Sequence, residues 1–276
     1  MLRVSIMGCG WYGFPLAEHL LRAGFEVNGS TTTADKSARL HDAGIYPFLL
    51  YFDPGVKGKN ANQFFDADVL VLNIPPGRKK PNVKSWYALL TDNVIRHIAA
   101  SRIRHVIFIS STSVYPDLNR IVTEQDAGPD AGEISASGSA LFSAENEFLK
   151  RTEFETTVLR FGGLYGPERH PTRFLAGRKN ISNPDTPVNL IHQTDCIRIT
   201  ERVIVKKPGN VVFSAVSDEH PTKSEYYSKT ARMLGLTPPQ FEKAEHQSWK
   251  TVSNELLKTK LGYSFKYPSP FDGLEL

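Results

Sequence analysis

The first half of the chain switches repeatedly between short unbroken apolar runs and stretches whose apolar residues recur every three to four positions. Val4-Ser5-Ile6-Met7 is the first run. Over residues 11–23, Phe14, Ala17, Leu20 and Leu21 line one face of a predicted helix, and Gly24 closes it. A strand is predicted over 25–31, a short helix over 34–43 ending at Gly44, and a strand over 45–52. Residues 68–74 are almost wholly apolar and stop at Pro75-Pro76, which suits a central parallel strand buried on both faces. A helix over 85–101 carries Trp86, Leu89, Leu90, Val94 and Ile98 on one side, and residues 105–109 form the fifth strand. Residues 115–139 are polar and rich in Gly, Asp and Ser, the composition of a long surface excursion, and loops of that length often serve function. A helix over 141–151 and a strand over 156–160 follow. Beyond Gly162-Gly163 the periodicity weakens, with strands over 188–191 and 211–216 and helices over 194–205 and 222–234. Strands alternating with helices predict an α/β fold, a doubly wound parallel sheet with right-handed crossovers.

Between the first strand and first helix lies Gly8-Cys9-Gly10-Trp11-Tyr12-Gly13. In that context a G-x-G-x-x-G run reads as a dinucleotide-binding turn. Gly8 serves the tight turn, Gly10 leaves bare backbone for a pyrophosphate, and Gly13 lets the helix pack close to the sheet. The helix amides and the partial positive charge at the helix start, about half an elementary charge, face the phosphates. Cys9 meets the need for a small residue inside the turn.

Composition narrows the class without deciding it. Apolar content of 40% and charged content of 22% are ordinary for a globular protein, and a net charge of +4 does not argue for nucleic acid. The run Arg78-Lys79-Lys80, with Lys84 nearby, reads as a solvated loop. Two cysteines make no disulfide framework and point to a reducing compartment. No apolar run reaches the roughly 20 residues that span a bilayer. With no signal-peptide pattern at the amino end, a cytoplasmic location is expected. The histidines lack metal-ligand spacing, so no metal is expected. Neither a nucleophile elbow nor a P-loop is present.

Three further segments follow the glycine turn in order: Ile109-Ser110-Ser111-Thr112-Ser113-Val114-Tyr115, Leu159-Arg160-Phe161-Gly162-Gly163-Leu164-Tyr165-Gly166-Pro167, and Asn189-Leu190-Ile191-His192-Gln193-Thr194-Asp195. Together the four resemble the extended short-chain dehydrogenase/reductase family, its NAD-dependent epimerase/dehydratase group, over nearly the whole chain. The resemblance implies a Rossmann domain over residues 1–160 and a smaller, intercalated C-terminal lobe over 161–276, partly interleaved with the sheet, that holds a nucleotide-sugar or similar substrate. It places Gly8, Gly10, Trp11, Tyr12 and Gly13 against the dinucleotide, with Thr31, Thr32, Asn73 and Pro75 towards the adenosine side. Ser110 and Ser111 fall on the nicotinamide side.

The resemblance breaks at one place. Members usually carry a Tyr-x-x-x-Lys pair at the start of the helix after the long loop, normally followed by x-x-Ala-Glu. With Ala144-Glu145 as register, the Tyr position is Ser137 and the Lys position is Leu141. A serine hydroxyl is a far weaker acid than a phenol, and general acid–base help contributes typically 10²–10⁴-fold. Ser111 aligns with the serine that bonds the reacting oxygen; its other reading is a cap on local backbone. Tyr115, Tyr165 and His170 are alternative proton carriers on loops, each with a structural reading as well. His192 and Asp195 read as a turn that fixes the next helix.

The second predicted strand ends in Asn28-Gly29-Ser30-Thr31-Thr32-Thr33, without the carboxylate that NAD-selective folds place there. Three hydroxyls, with Lys36 or Arg39, tilt the cofactor towards NADP; the absence of an arginine at the strand end leaves NAD open. Two functions follow. One is an NAD(P)-binding oxidoreductase or epimerase acting on a sugar-nucleotide-like or related polar small molecule, with Ser111 polarising the oxygen. The other is a non-catalytic dinucleotide-binding sensor or regulator. The resemblance also implies a homodimer through the helices at 85–101 and 141–151, with Phe142, Phe148 and Leu149 as contacts, or else packed inward.

Overall fold

The computed structural model describes residues 1–77, 82–242 and 248–274; Arg78, Lys79 and Lys80 lie outside them. The main sheet is built from β1 (Arg3–Met7), β2 (Glu26–Thr31), β3 (Tyr46–Leu49), β4 (Val69–Leu72), β5 (His105–Ser111), β6 (Glu155–Phe161) and β7 (Val211–Ala215). Its order is β7-β6-β5-β4-β1-β2-β3, parallel and doubly wound outward from β1. Val4 pairs with Val27 on one side and Val69 on the other, so the apolar residues of the central strands stack in register. Every residue of β4 is buried, as its unbroken apolar run requires.

The crossover helices are α1 (Gly13–Arg22), α2 (Ala34–Asp42), α3 (Val83–Ala99), α4 (Ala136–Leu149) and α5 (Gln193–Lys206). In α1 the buried stripe is Leu16, Ala17 and Leu20, while Phe14 and Leu21 sit on its flank. Gly24, at φ 87°, closes that helix in the left-handed region.

Two predicted elements differ from the structure. Residues 45–52 do not form one strand. β3 ends at Leu49, the buried Leu50 N–H donates to the Thr31 carbonyl at 2.9 Å, and the chain leaves the sheet as a hairpin, Tyr51–Asp53 against Gly55–Lys57. Pro47 is tolerated because β3 is the sheet edge. The helix expected at residue 141 begins at Ala136, because Ser135 Oγ accepts the Gly138 N–H at 3.1 Å and caps it. Its Phe148 turns inward, 5.3 Å from the Phe108 ring, and makes no outer contact.

The chain divides into two compact units: 1–114, 134–160 and 199–212 form the first, and 115–133, 161–198 and 213–276 the second. Within the second, Gly163–Tyr165 pairs with Leu190–His192, and Arg120–Val122 with Lys250–Val252, both parallel. Tyr165, Val188, Leu190 and Tyr226 make a core beneath Tyr227, Phe271 and Leu274. Among the described residues no helix is long and apolar enough to cross a membrane.

Candidate functional site

The glycine turn is held from both sides. Gly8 N–H donates to Ser30 Oγ at 2.9 Å, and Cys9 N–H to the Ser30 carbonyl at 2.9 Å, both on β2. From the β4 side, Asn73 Nδ2 donates to the Gly8 carbonyl at 3.0 Å. Gly8 sits at φ 106°, and a Cβ there would lie 2.6 Å from the Asn73 carbonyl oxygen. A Cβ on Gly13 would lie 2.2 Å from the Gly8 carbonyl oxygen, so α1 is packed directly against the turn. Gly10 is the opposite case: a Cβ there meets nothing within 4 Å. That opening, beside bare backbone and at the end of a helix with no acidic residue in its first turn, fits a diphosphate.

Side chains of the turn face inward. Tyr12 is buried, its hydroxyl 2.6 Å from Thr200 Oγ1 on α5, so what it offers a ligand is backbone. Trp11 is half-buried. Burial pushes the Cys9 thiol up to about 12, which keeps it protonated and unreactive. Beyond β2, Thr31 is buried and Thr32 exposed. After β4, Asn73 is committed to Gly8, Pro75 is exposed, and the Ile74 carbonyl accepts from the buried Tyr87 hydroxyl at 2.8 Å.

At the end of β5 the two serines part. Ser110 is 5% exposed and donates to the Glu145 carboxylate. Glu145 is fully buried and grips Arg160, with Nη2 to Oε2 at 2.6 Å and Nε to Oε2 at 3.1 Å. Ser111 is half-buried; its Oγ accepts the Ser113 N–H at 3.2 Å, which leaves the hydroxyl proton to donate elsewhere. A Cβ on Gly138 would lie 2.2 Å from the Ser113 carbonyl oxygen, so the first turn of α4 lies against the turn Thr112–Val114. Ser137 is half-buried in that helical turn, and Leu141, one turn on, is buried.

The other proton-carrier candidates belong to the second unit. Tyr115 is 1% exposed with its hydroxyl 2.5 Å from Ser214 Oγ. Tyr165 is fully buried and donates to the Ser269 carbonyl at 3.2 Å; burial holds its phenol well above the ordinary tyrosine range. His170 is buried, and its Nδ1 has no hydrogen-bond partner among the described residues. His192 Nδ1 accepts the Thr194 N–H at 3.1 Å. Asp195 does more than fix a turn: its carboxylate accepts Tyr263 Oη at 2.5 Å, Lys266 N–H at 2.8 Å and Tyr267 N–H at 3.0 Å, tying down the C-terminal segment.

Residues 4–198 match the NAD dependent epimerase/dehydratase family. The chain belongs to that family. It is 33% identical over 273 residues to Protein YeeZ of Escherichia coli strain K12, covering 98% of each chain. Among solved structures it is similar to a functionally unknown conserved protein from Silicibacter pomeroyi DSS, at TM-score 0.77 and 23% identity, covering 98% of this chain and 95% of that one. It is also similar to MoeE5 in complex with UDP-glucuronic acid and NAD, at TM-score 0.78 and 18% identity, covering 96% and 93%. At those identities the structural likeness carries the fold alone.

The buried Ser110–Glu145–Arg160 network was not foreseen. Its signal lay in the sequence: Arg160 is a charge between the apolar Val158-Leu159 and Phe161 in the buried part of a strand, and such a charge requires a partner.

Proposed function

We propose that this chain binds a nicotinamide adenine dinucleotide at the glycine turn and acts as an oxidoreductase or epimerase on a sugar nucleotide or a related polar small molecule. The observation that carries the binding step is the contrast within the turn: Gly8 and Gly13 have no room for a side chain, while Gly10 opens onto space. The substrate class rests on family membership and on the sugar nucleotide named for MoeE5. A bound dinucleotide supplies the hydride donor or acceptor. The protein's part is then to grip the diphosphate with backbone near Gly10 and to direct the Ser111 hydroxyl at the reacting oxygen, its lone pair already engaged by Ser113 N–H.

In this reading Ser137 and Leu141 stand where the family resemblance implies a proton-transferring Tyr and its Lys. Nowhere in the sequence does a Lys follow a Tyr by four residues. Tyr115 and Tyr165 take structural roles, their hydroxyls held inside. Those observations favour a second reading, a dinucleotide sensor without turnover. The experiment that separates the two incubates oxidised and reduced cofactor with a panel of sugar nucleotides and follows nicotinamide absorbance. Turnover supports the enzyme. Dinucleotide binding without turnover across the panel and pH range supports the sensor.

The same reading includes a homodimer through the groove between α3 and α4. Small and apolar residues line it, Ala88, Ile95, Ala140 and Ala144, rimmed by Lys84, Asp92, Glu147 and Arg151. Both cysteines are buried free thiols, which suits a reducing cytoplasmic setting.

A further inference from the structure

We propose that a cavity at the amino ends of β1, β2 and β3 binds a guanine-type base, presented as a nucleoside, with Tyr46 as the stacking surface and Glu26 and Asn28 accepting from its N–H edge. The glycine turn follows the carboxyl end of β1, so this site lies at the other end of the strands and does not depend on the dinucleotide reading.

The cavity has a volume of about 520 Å³, within the roughly 300–1,000 Å³ of small-molecule sites. Parallel register sets its polar residues side by side on one face of the sheet: Arg3 pairs with Glu26, Ser5 with Asn28, and Asn28 with Tyr46. The connection from β3 to β4 has no helix longer than the single turn Ala61–Phe64 to cover that face. Tyr46 is left 73% exposed, with Phe48 two residues on along the same face. The wall is therefore aromatic and flat-sided, which suits a stacked ring.

Proton accounting gives the polar wall its character. Ser5 spends its one hydroxyl proton on the Phe64 carbonyl at 2.5 Å, so its oxygen can only accept. The Asn28 group facing it at 3.1 Å is the amide nitrogen, and Oδ1 is left without a hydrogen bond among the described residues. Asn28 is 6% exposed, yet its Oδ1 is not sealed from solvent, so it opens onto the cavity. Two residues earlier on the same face, Arg3 directs both Nε, at 2.8 Å, and Nη2, at 2.7 Å, to Glu26 Oε2. Glu26 Oε1 accepts no hydrogen bond among the described residues. Asp66 is held between Arg3 and Arg102, at 3.2 and 2.9 Å. Gln63, on the one-turn helix, has a side-chain amide free of protein hydrogen bonds.

The open groups are thus two acceptors on β2 and one carboxamide that can donate. Guanine carries the complement on one edge: an amino group and a ring N–H that donate, and a carbonyl that accepts. The described lining residues hold one arginine against two carboxylates, a balance that opposes a phosphate and favours the free nucleoside.

The test is ligand-detected NMR titration of the full chain with guanosine, inosine, 1-methylguanosine, adenosine and 5′-GMP. Guanosine is expected to saturate below about 1 mM. Inosine, which lacks the amino group, and 1-methylguanosine, which lacks the ring N–H, are expected to bind about tenfold more weakly or worse. Adenosine and 5′-GMP are also expected to bind more weakly than guanosine. Tyr46→Ala and Glu26→Gln, both at exposed positions, are each expected to weaken guanosine about tenfold while keeping the parent's melting temperature. Excess NAD⁺ or NADP⁺ is expected to leave guanosine bound. No saturation, equal binding of inosine or adenosine, tighter binding of 5′-GMP, an unaffected Tyr46→Ala variant, or displacement by a dinucleotide would each overturn the inference.

Discussion

Replacing Arg160 with Met leaves the Glu145 carboxylate buried with Ser110 as its remaining side-chain partner. Glu145 is fully buried and Arg160 is 3% exposed, and the pair is joined by two arginine nitrogens. At 2.6 Å and an effective dielectric near 20, the attraction is on the order of 6 kcal/mol, and desolvation offsets most of it. Removing one partner leaves that desolvation uncompensated, so the expected cost of Arg160→Met is about 3–5 kcal/mol. Against a total stability of roughly 5–15 kcal/mol this is a large share, and for a chain of 276 residues it lowers the melting temperature by roughly 5–9 °C. Urea unfolding followed by far-ultraviolet circular dichroism measures the loss. The double variant Glu145→Leu, Arg160→Met removes both charges and is expected to recover most of it. A single variant within about 1 kcal/mol of the parent, or a double variant no better than the worse single, would refute the reasoning.

Other outcomes follow from the same geometry. His105 is buried beside Lys207, and burial first, then that cation, lowers its pKa from 6.5 to about 4. It folds neutral, so its contribution is complete above pH 6.5 and is lost as pH falls from 6.5 towards 4, about 3 kcal/mol in all; urea midpoints across that range should flatten in His105→Gln. If the chain turns over a sugar nucleotide, Ser111→Ala is expected to lower the rate about 100-fold without changing dinucleotide affinity, measured by steady-state kinetics beside calorimetry. Ala88→Arg, in the α3–α4 groove, is expected to shift the light-scattering mass from dimer to monomer.

How far the sequence could be read depended on whether the signal was local. The strands β1, β4 and β5 are built on short apolar runs, and each of them, like β6, lies within its expected stretch or overruns it by one or two residues. Residues 45–52 misled because the apolar run continues past the point where Leu50 turns to bond Thr31, a contact made across strands. The start of α4 was missed by five positions because Ser135, Ser137 and Ser139 read as loop, whereas Ser135 is the cap. The glycine turn could be located from spacing, but not which of its side chains point inward: Tyr12 reaches Thr200, 188 residues away. The Ser110–Glu145 and Asp195–Tyr263 bonds join residues 35 and 68 positions apart, and no local pattern encodes such partners.

The central claim is that the chain grips a dinucleotide diphosphate where Gly10 leaves space. The most direct measurement is calorimetric titration of the unaltered protein and of Gly10→Val with NADP⁺ and NAD⁺, beside thermal melting of both proteins. Because a Cβ at Gly10 meets nothing within 4 Å, the variant should melt close to the parent while losing dinucleotide binding. Equal affinity in parent and variant, or a parent that binds neither dinucleotide, would contradict the account.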